Sequence, residues 1–227
     1  MLRSLQPFNY LRPSSLSEVL KLLGNYGKEA KVLAGGTDLI VGMKEKGLSP
    51  GYVIDIKGIK GLDGISYDPK EGLRIGTLAT MNEVNASSCI REHYPFLSLA
   101  AGEVGSVQVR NRATIGGNLC NAAPSAETAP ALLCLDAVLT VAGPKGERVI
   151  EIEEFFQGPG MTVLDGEILT GIRIPPVPRK GIYIKHSPRN AMDIAVIGVA
   201  AAVTPGQGGW KEVRIALGAV APTPVRV

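Results

Sequence analysis

Histidine and cysteine are scarce in this chain of 227 residues, with two and three copies. Cys89, Cys120 and Cys134 are odd in number and no two stand in a C-x-x-C spacing. That argues against a disulfide framework and against a local zinc or iron–sulfur site, and Cys120 reads as a free, inert thiol. His93 and His186 are too few for a metal centre and lack convergent partners for a Ser-His-Asp arrangement, so both read as structural or surface residues. Long apolar runs are also missing. The longest clean one, Ile194 to Val203, is far short of the roughly 20 residues a membrane helix needs, and Arg3 is followed by no apolar leader core, so a cytoplasmic protein is expected. The 24 basic and 21 acidic residues leave a net charge of +3, scattered and too small to argue for nucleic acid. Neither the Walker Gly-Lys-Ser/Thr pattern nor G-x-G-x-x-G occurs.

Glycine pairs, by contrast, are placed where they draw attention. Ala113 to Glu127 reads Ala-Thr-Ile-Gly-Gly-Asn-Leu-Cys-Asn-Ala-Ala-Pro-Ser-Ala-Glu. Gly116 and Gly117 permit positive φ and close approach by another molecule. Thr114, Asn118, Asn121 and Ser125 add short hydrogen-bonding groups without net charge, as in a loop that holds a polar ligand with main-chain N–H groups. Taken alone, one Gly-Gly pair reads equally well as a tight turn followed by a capped helix.

A second segment of the same kind, Lys31 to Leu39, reads Lys-Val-Leu-Ala-Gly-Gly-Thr-Asp-Leu. Val32, Leu33 and Ala34 predict a strand, Gly35-Gly36 a turn, and Thr37 or Asp38 the N-cap of a helix through Ile40, Val41 and Met43. Strand, glycine turn and helix start make an anion site, because the first N–H groups of a helix lack intrahelical partners.

These residues carry a resemblance. Ala34-Gly35-Gly36-Thr37-Asp38-Leu39, the run Val109 to Asn118, and Pro124-Ser125-Ala126-Glu127 resemble the FAD-binding (medium) subunit of the xanthine dehydrogenase and carbon monoxide dehydrogenase family of molybdenum hydroxylases. The similarity extends from Tyr10-Leu11-Arg12-Pro13 to Ala221 through Arg226. It implies an α+β, two-lobed FAD-binding fold of the vanillyl-alcohol oxidase type, followed by a C-terminal α+β domain that stops short. It further implies FAD as cofactor, an iron–sulfur subunit and a molybdopterin subunit as partners, and NAD or another electron acceptor. Carried over residue by residue, the cofactor contacts fall on Val32, Leu33, Ala34, Gly35, Gly36, Thr37, Asp38 and Leu39, and on Thr114, Ile115, Gly116, Gly117 and Asn118. Glu127 follows, where many members have aspartate, then a backbone contact at Leu169 and a lysine near the flavin ring at Lys185. No acid/base pair is expected, since the cofactor does the redox work. Two other readings stay open: a self-contained FAD-dependent reductase of the same fold, and a flavin-free scaffold subunit.

The rest of the chain predicts a frame for these segments. Ser15-Leu16-Ser17-Glu18 reads as a capping box opening a helix that lasts to Gly24, and Tyr52 to Ile56 as a strand, so that residues 1–57 form a β-α-β-α-β lobe. A second lobe, 58–177, is expected to hold strands at 64–67 and 73–76, a helix capped by Thr80-Met81-Asn82-Glu83, and helices at 95–104 and 126–135. A hairpin of 137–141 with 148–152 and a strand at 167–174 complete it. Pro175-Pro176-Val177-Pro178 predicts a linker, beyond which residues 178–227 predict strands at 181–186, 191–203 and 213–220.

Overall fold

The structure, a computed structural model, describes residues 4–189 and 191–227; Arg3 lies outside them. The N-terminal part alternates strand and helix: β1 (Asn9–Leu11), α1 (Leu16–Tyr26), β2 (Ala30–Leu33), α2 (Leu39–Glu45) and β3 (Tyr52–Asp55). The strands form a three-stranded sheet in the order β1-β3-β2, with both pairings parallel. Ser15 caps α1 by accepting from Glu18 N at 3.2 Å, while the Glu18 carboxylate reaches back one residue further than a capping box requires, to Ser14 N at 2.8 Å. The helix passes Gly24 and ends at Gly27, which takes φ +49°. Its apolar face, Val19 and Leu23, is buried with Ile54, Ile56, Leu62, Leu78 and Ile168, and Tyr26 stacks on Tyr52 at 3.6 Å.

The middle part is built on an antiparallel sheet of β4 (Ile65–Asp68), β5 (Gly72–Gly76), β6 (Val138–Gly143), β7 (Gly146–Glu151) and β10 (Ile168–Ile174), in the order β4-β5-β10-β6-β7. The short strands β8 (Phe156–Gly158) and β9 (Met161–Thr162) form a ribbon of their own. Helices α3 (Met81–Ala86), α4 (Ser88–His93), α5 (Pro95–Gly102), α6 (Val107–Arg110), α7 (Ile115–Asn121), α8 (Thr128–Cys134) and α9 (Ile152–Phe155) accompany the sheet. The expected capping box at Thr80 is complete: Glu83 N donates to the Thr80 hydroxyl at 3.2 Å and Thr80 N to the Glu83 carboxylate at 2.7 Å. Leu73, Ile75, Leu139, Val141 and Ile172 are buried with Met81, Phe96, Leu97, Ile115, Leu119 and Leu132 in the main core. The helix expected over 126–135 is shorter because Ala126 N closes a tight turn onto Ala123 O.

Residues 175–179 have no regular structure and close two tight turns, Val177 N to Pro175 O and Arg179 N to Val177 O, both 2.8 Å. The last sheet follows, antiparallel in the order β11 (Lys180–His186), β12 (Ile197–Gly206), β13 (Gly209–Gly218) and β14 (Val225–Arg226). Two expected boundaries move. The strand placed at 191–203 starts only at Ile197, because Met192 turns to φ +66° and donates its N–H to Gly105 O. The strand placed at 213–220 ends at Gly218, because Ala219 takes φ +67° and donates to Pro124 O at 2.7 Å.

Small residues let this sheet lie close against the middle part. Ala200, Ala202 and Ala216 are buried, and a β-carbon on Gly181 would meet the Phe96 ring at 2.8 Å. A polar knot fixes the contact. The Arg179 guanidinium, almost wholly buried, donates to Cys134 O at 3.2 Å and to Asp136 Oδ2 at 2.7 Å. Arg214 and Arg226 also pair with Asp136, and Glu212 and Glu153 supply further carboxylates.

Candidate functional site

The first glycine segment is a turn at the carboxyl end of β2, the end of a parallel sheet where ligands are held. Gly36 takes φ +78°, and a β-carbon there would also press on Leu33 Cδ1 at 2.9 Å. Asp38 occupies the N-cap position of α2, but its side chain caps nothing; it accepts instead from the Thr37 hydroxyl at 3.3 Å. Asp38 is therefore the N-cap by position, as expected, but supplies no capping bond, with a chemical consequence. Among the described residues, no acceptor is paired with the backbone N–H groups of Gly36, Thr37, Asp38 or Leu39, so four donors at a turn remain available to an anion. Val32, Leu33 and Ala34 are half-buried and carry the turn.

The second segment is organised differently. Thr114 caps α7, its hydroxyl accepting from Gly117 N at 3.0 Å. Ile115 N donates to Ala79 O at 2.9 Å, Gly116 N to Thr77 O at 3.0 Å and Asn118 N to Thr114 O at 3.0 Å. Gly116 and Gly117 are not among the residues with positive φ. The expected ligand loop with free main-chain donors is thus a capped helix, the plainer of the two readings, and its N–H groups are used internally. Gly116 is required by packing, since a β-carbon there would overlap the Thr77 hydroxyl and lie 2.7 Å from the Thr77 carbonyl oxygen. At Gly117 the nearest atom to a β-carbon is Thr114 Oγ1 at 2.9 Å, with no other neighbour within 4 Å. One side of Gly117 is therefore open.

The two segments touch. A β-carbon on Gly35 would overlap the carbonyl oxygen of Arg112 and lie 2.7 Å from its carbonyl carbon. Over this contact lies a groove of about 220 Å³ whose walls include Gly35, Thr114, Lys57, Asp63 and Arg112. Lys57 and Arg112 are not among the sequence candidates, although Arg112 stands within the second motif and Lys57 lies two residues beyond β3. The Lys57 ammonium is paired with Asp55 at 2.8 Å.

Of the remaining candidates, Glu127 and Lys185 are brought together. Lys185 Nζ donates to Glu127 Oε1 at 2.9 Å and to Glu103 O at 3.0 Å, with only 4% of the lysine side chain exposed. Burial pushes the Glu127 carboxyl up; the Lys185 ammonium pulls the other way, and the charge of Asp38 pushes it further up. Asn118 accepts at Oδ1 from the Thr128 hydroxyl at 2.6 Å, which leaves its amide nitrogen free to donate. Ile115 is wholly buried in the main core. Leu169 is buried within β10 at an irregularity in its pairing with β6, and the adjacent Thr170 carbonyl accepts from Thr77 N. His93 stacks on Tyr67 at 3.8 Å, His186 and Cys120 are exposed, and no metal-binding cluster occurs among the described residues.

This arrangement fits a dinucleotide. Four unpaired N–H groups suit a diphosphate, and the open side of Gly117 leaves room beside it. Parallel sheet, antiparallel sheet and glycine turn together define a two-lobed α+β protein of the vanillyl-alcohol oxidase type, extended by a further sheet.

Comparison with known proteins gives the family. Residues 6–177 match the FAD binding domain in molybdopterin dehydrogenase, and residues 182–227 the CO dehydrogenase flavoprotein C-terminal domain. The chain is 37% identical over 222 residues to the xanthine dehydrogenase FAD-binding subunit of Escherichia coli O157:H7, covering 96% of this chain and 76% of the relative. With the carbon monoxide dehydrogenase medium chain of Hydrogenophaga pseudoflava the identity is 34%, covering 96% and 77%. Carbon monoxide dehydrogenase from that organism, solved without the Mo-pyranopterin moiety, superposes with a TM-score of 0.94 at 33% identity, over 99% of this chain and 78% of that one. The chain belongs to the FAD-binding subunits of the xanthine and carbon monoxide dehydrogenase family, which are components of oxidoreductases.

Proposed function

We propose that this chain holds one FAD non-covalently and carries electrons from an iron–sulfur subunit to NAD or another acceptor, within a complex whose molybdopterin subunit acts on the organic substrate. The observation that carries the reading is the Gly36 to Leu39 turn, with its four unpaired N–H groups closed against Arg112. In this reading those N–H groups hold the diphosphate, while Gly117 and the Asn118 amide border the cofactor. The lobes 1–57 and 58–177 enclose it, and 178–227 opens the third unit. Bound FAD supplies the electron chemistry; the chain binds it, orients it and limits water around it. No described helix is long and apolar enough to cross a membrane, and we place the complex in the cytoplasm.

The test is reduction of the bound flavin by the co-expressed iron–sulfur subunit, followed by stopped-flow absorbance, with NAD added afterwards. Flavin reduction that depends on the iron–sulfur subunit supports the reading, and reoxidation by NAD identifies that acceptor. Flavin that the iron–sulfur subunit cannot reduce contradicts it.

A further inference from the structure

The carboxyl edge of the parallel sheet carries more than the glycine turn. Lys57 stands just beyond β3, and its ammonium is tethered there. Asp55 Oδ1 accepts from Lys57 Nζ at 2.8 Å and from Lys57 N at 2.9 Å, while Asp55 Oδ2 accepts from the Tyr10 hydroxyl of β1. The carboxylate is 5% exposed and the lysine side chain 36%, so a buried anchor holds a cation that solvent still reaches. Arg112 comes to the same groove from the second segment, with its carbonyl pressed on Gly35. Asp63 and Glu83 also line that groove, but the Glu83 carboxylate is engaged by Thr80 N and the Thr80 hydroxyl at 2.7 and 2.8 Å. Two cationic residues from distant parts of the sequence thus border the turn that offers the N–H groups.

We propose that Lys57 and Arg112 form a cationic clamp on the cofactor diphosphate, one jaw in each lobe. The inference rests on the FAD reading above. The N–H groups of Gly36 to Leu39 supply hydrogen bonds but no net charge, whereas a diphosphate brings formal negative charge into a groove partly closed from water. The two cations offset that charge. Because Lys57 belongs to the first lobe and Arg112 to the second, the bound diphosphate also ties the lobes together. Asp55 withdraws part of the Lys57 charge and, through its bond from Tyr10, keeps the ammonium in place; an ammonium has three protons, so the bond to Asp55 leaves two for a phosphate.

The experiment measures FAD affinity of the full-length protein by flavin fluorescence at low and at raised salt. Lys57→Met and Arg112→Met are each expected to weaken FAD about fivefold at low salt, between the effect of an exposed ion pair and that of a hydrogen bond to a charged group. Each should also flatten the salt dependence, because one of the charges that salt screens is gone. Lys57→Arg, which keeps the charge, should stay close to wild type, and so should Lys60→Met, an exposed lysine of the same loop outside the groove. Wild-type affinity in both Met variants, a loss that leaves the salt dependence as steep as before, or an equal loss in Lys60→Met would overturn the clamp. If the Met variants do not fold, the wild type decides, since FAD affinity that does not fall with added salt contradicts the proposal. Wild-type protein that takes up no FAD would instead defeat the underlying reading.

Discussion

Gly35 and the carbonyl of Arg112 are in such close contact that no β-carbon fits between them, although the residues belong to different glycine motifs. The first motif leaves the carboxyl end of a parallel strand, and the second opens a helix pinned to residues 77–81 by Ile115 N to Ala79 O, Gly116 N to Thr77 O and Met81 N to Ala113 O. Their meeting sets the position of the free N–H groups at Gly36 to Leu39. Gly35→Ala should therefore separate the segments, costing about 1–3 kcal/mol from overpacking and weakening FAD binding. Unchanged urea midpoint and unchanged affinity in this variant would contradict the contact.

Gly116 and Gly117 are adjacent but should respond differently. Gly116→Ala collides with Thr77 on its own backbone side and should lose about 1–3 kcal/mol of stability. Gly117→Ala sits in a helix with one open side. There the helix propensity gained over glycine, up to about 1 kcal/mol, offsets the near contact with the Thr114 hydroxyl. Its stability should stay near wild type while FAD affinity falls, because the methyl group occupies the cofactor side. Thermal melts with and without FAD separate the two behaviours.

These glycines show what was legible and what was not. The strand and helix alternation of the first part, the turn at Gly35-Gly36 and the capping box at Thr80 are local signals and stand in the structure as read, and residues 175–179 have no regular structure. A glycine pair does not reveal whether it serves positive φ or close packing. Gly36 uses the first and Gly116 the second, and only the partner across space, Thr77, distinguishes them. The pairing of Lys185 with Glu127 spans 58 residues, and the convergence of three arginines on Asp136 spans up to 90. Neither leaves a periodicity or spacing to read. Helices α4, α6 and α9 also went unread, each being too short to show a repeat.

Asp136→Asn tests the knot that fixes the third sheet. Asp136 takes φ +51°, which asparagine tolerates, so the substitution isolates the charge. Three guanidinium groups then lose their shared carboxylate, and the cost should fall toward the lower end of the roughly 3–5 kcal/mol for breaking a buried pair, since Asp136 remains 29% exposed. Added salt should change this little. A loss below about 1 kcal/mol in urea unfolding would place the docking energy in the small apolar residues instead.

Asp55 gives a pH dependence. Burial pushes its carboxyl up, but hydrogen bonds from Lys57 and Tyr10 outweigh burial and hold it below the ordinary aspartate value of 3.8. The unfolded chain therefore binds a proton more readily than the folded one. The Asp55 contribution is present above pH 3.8 and is lost as pH falls through the lowered value. Melting temperatures between pH 2 and pH 6 should show that acid loss in the wild type, with a smaller slope in Asp55→Asn, and equal slopes would contradict the assignment.

The central claim is most directly tested by flavin stoichiometry in wild type and in Gly36→Ala. Full-length wild-type protein should bind one FAD per chain and release it entirely on acid precipitation. Gly36→Ala, which forces a β-carbon onto a residue at φ +78°, should weaken binding about tenfold, since strain of that kind costs roughly 1–3 kcal/mol and about 1.4 kcal/mol is tenfold in affinity. Folded wild-type protein that stays colourless and cannot be reconstituted with FAD, or flavin that remains on the acid-precipitated polypeptide, would contradict the account.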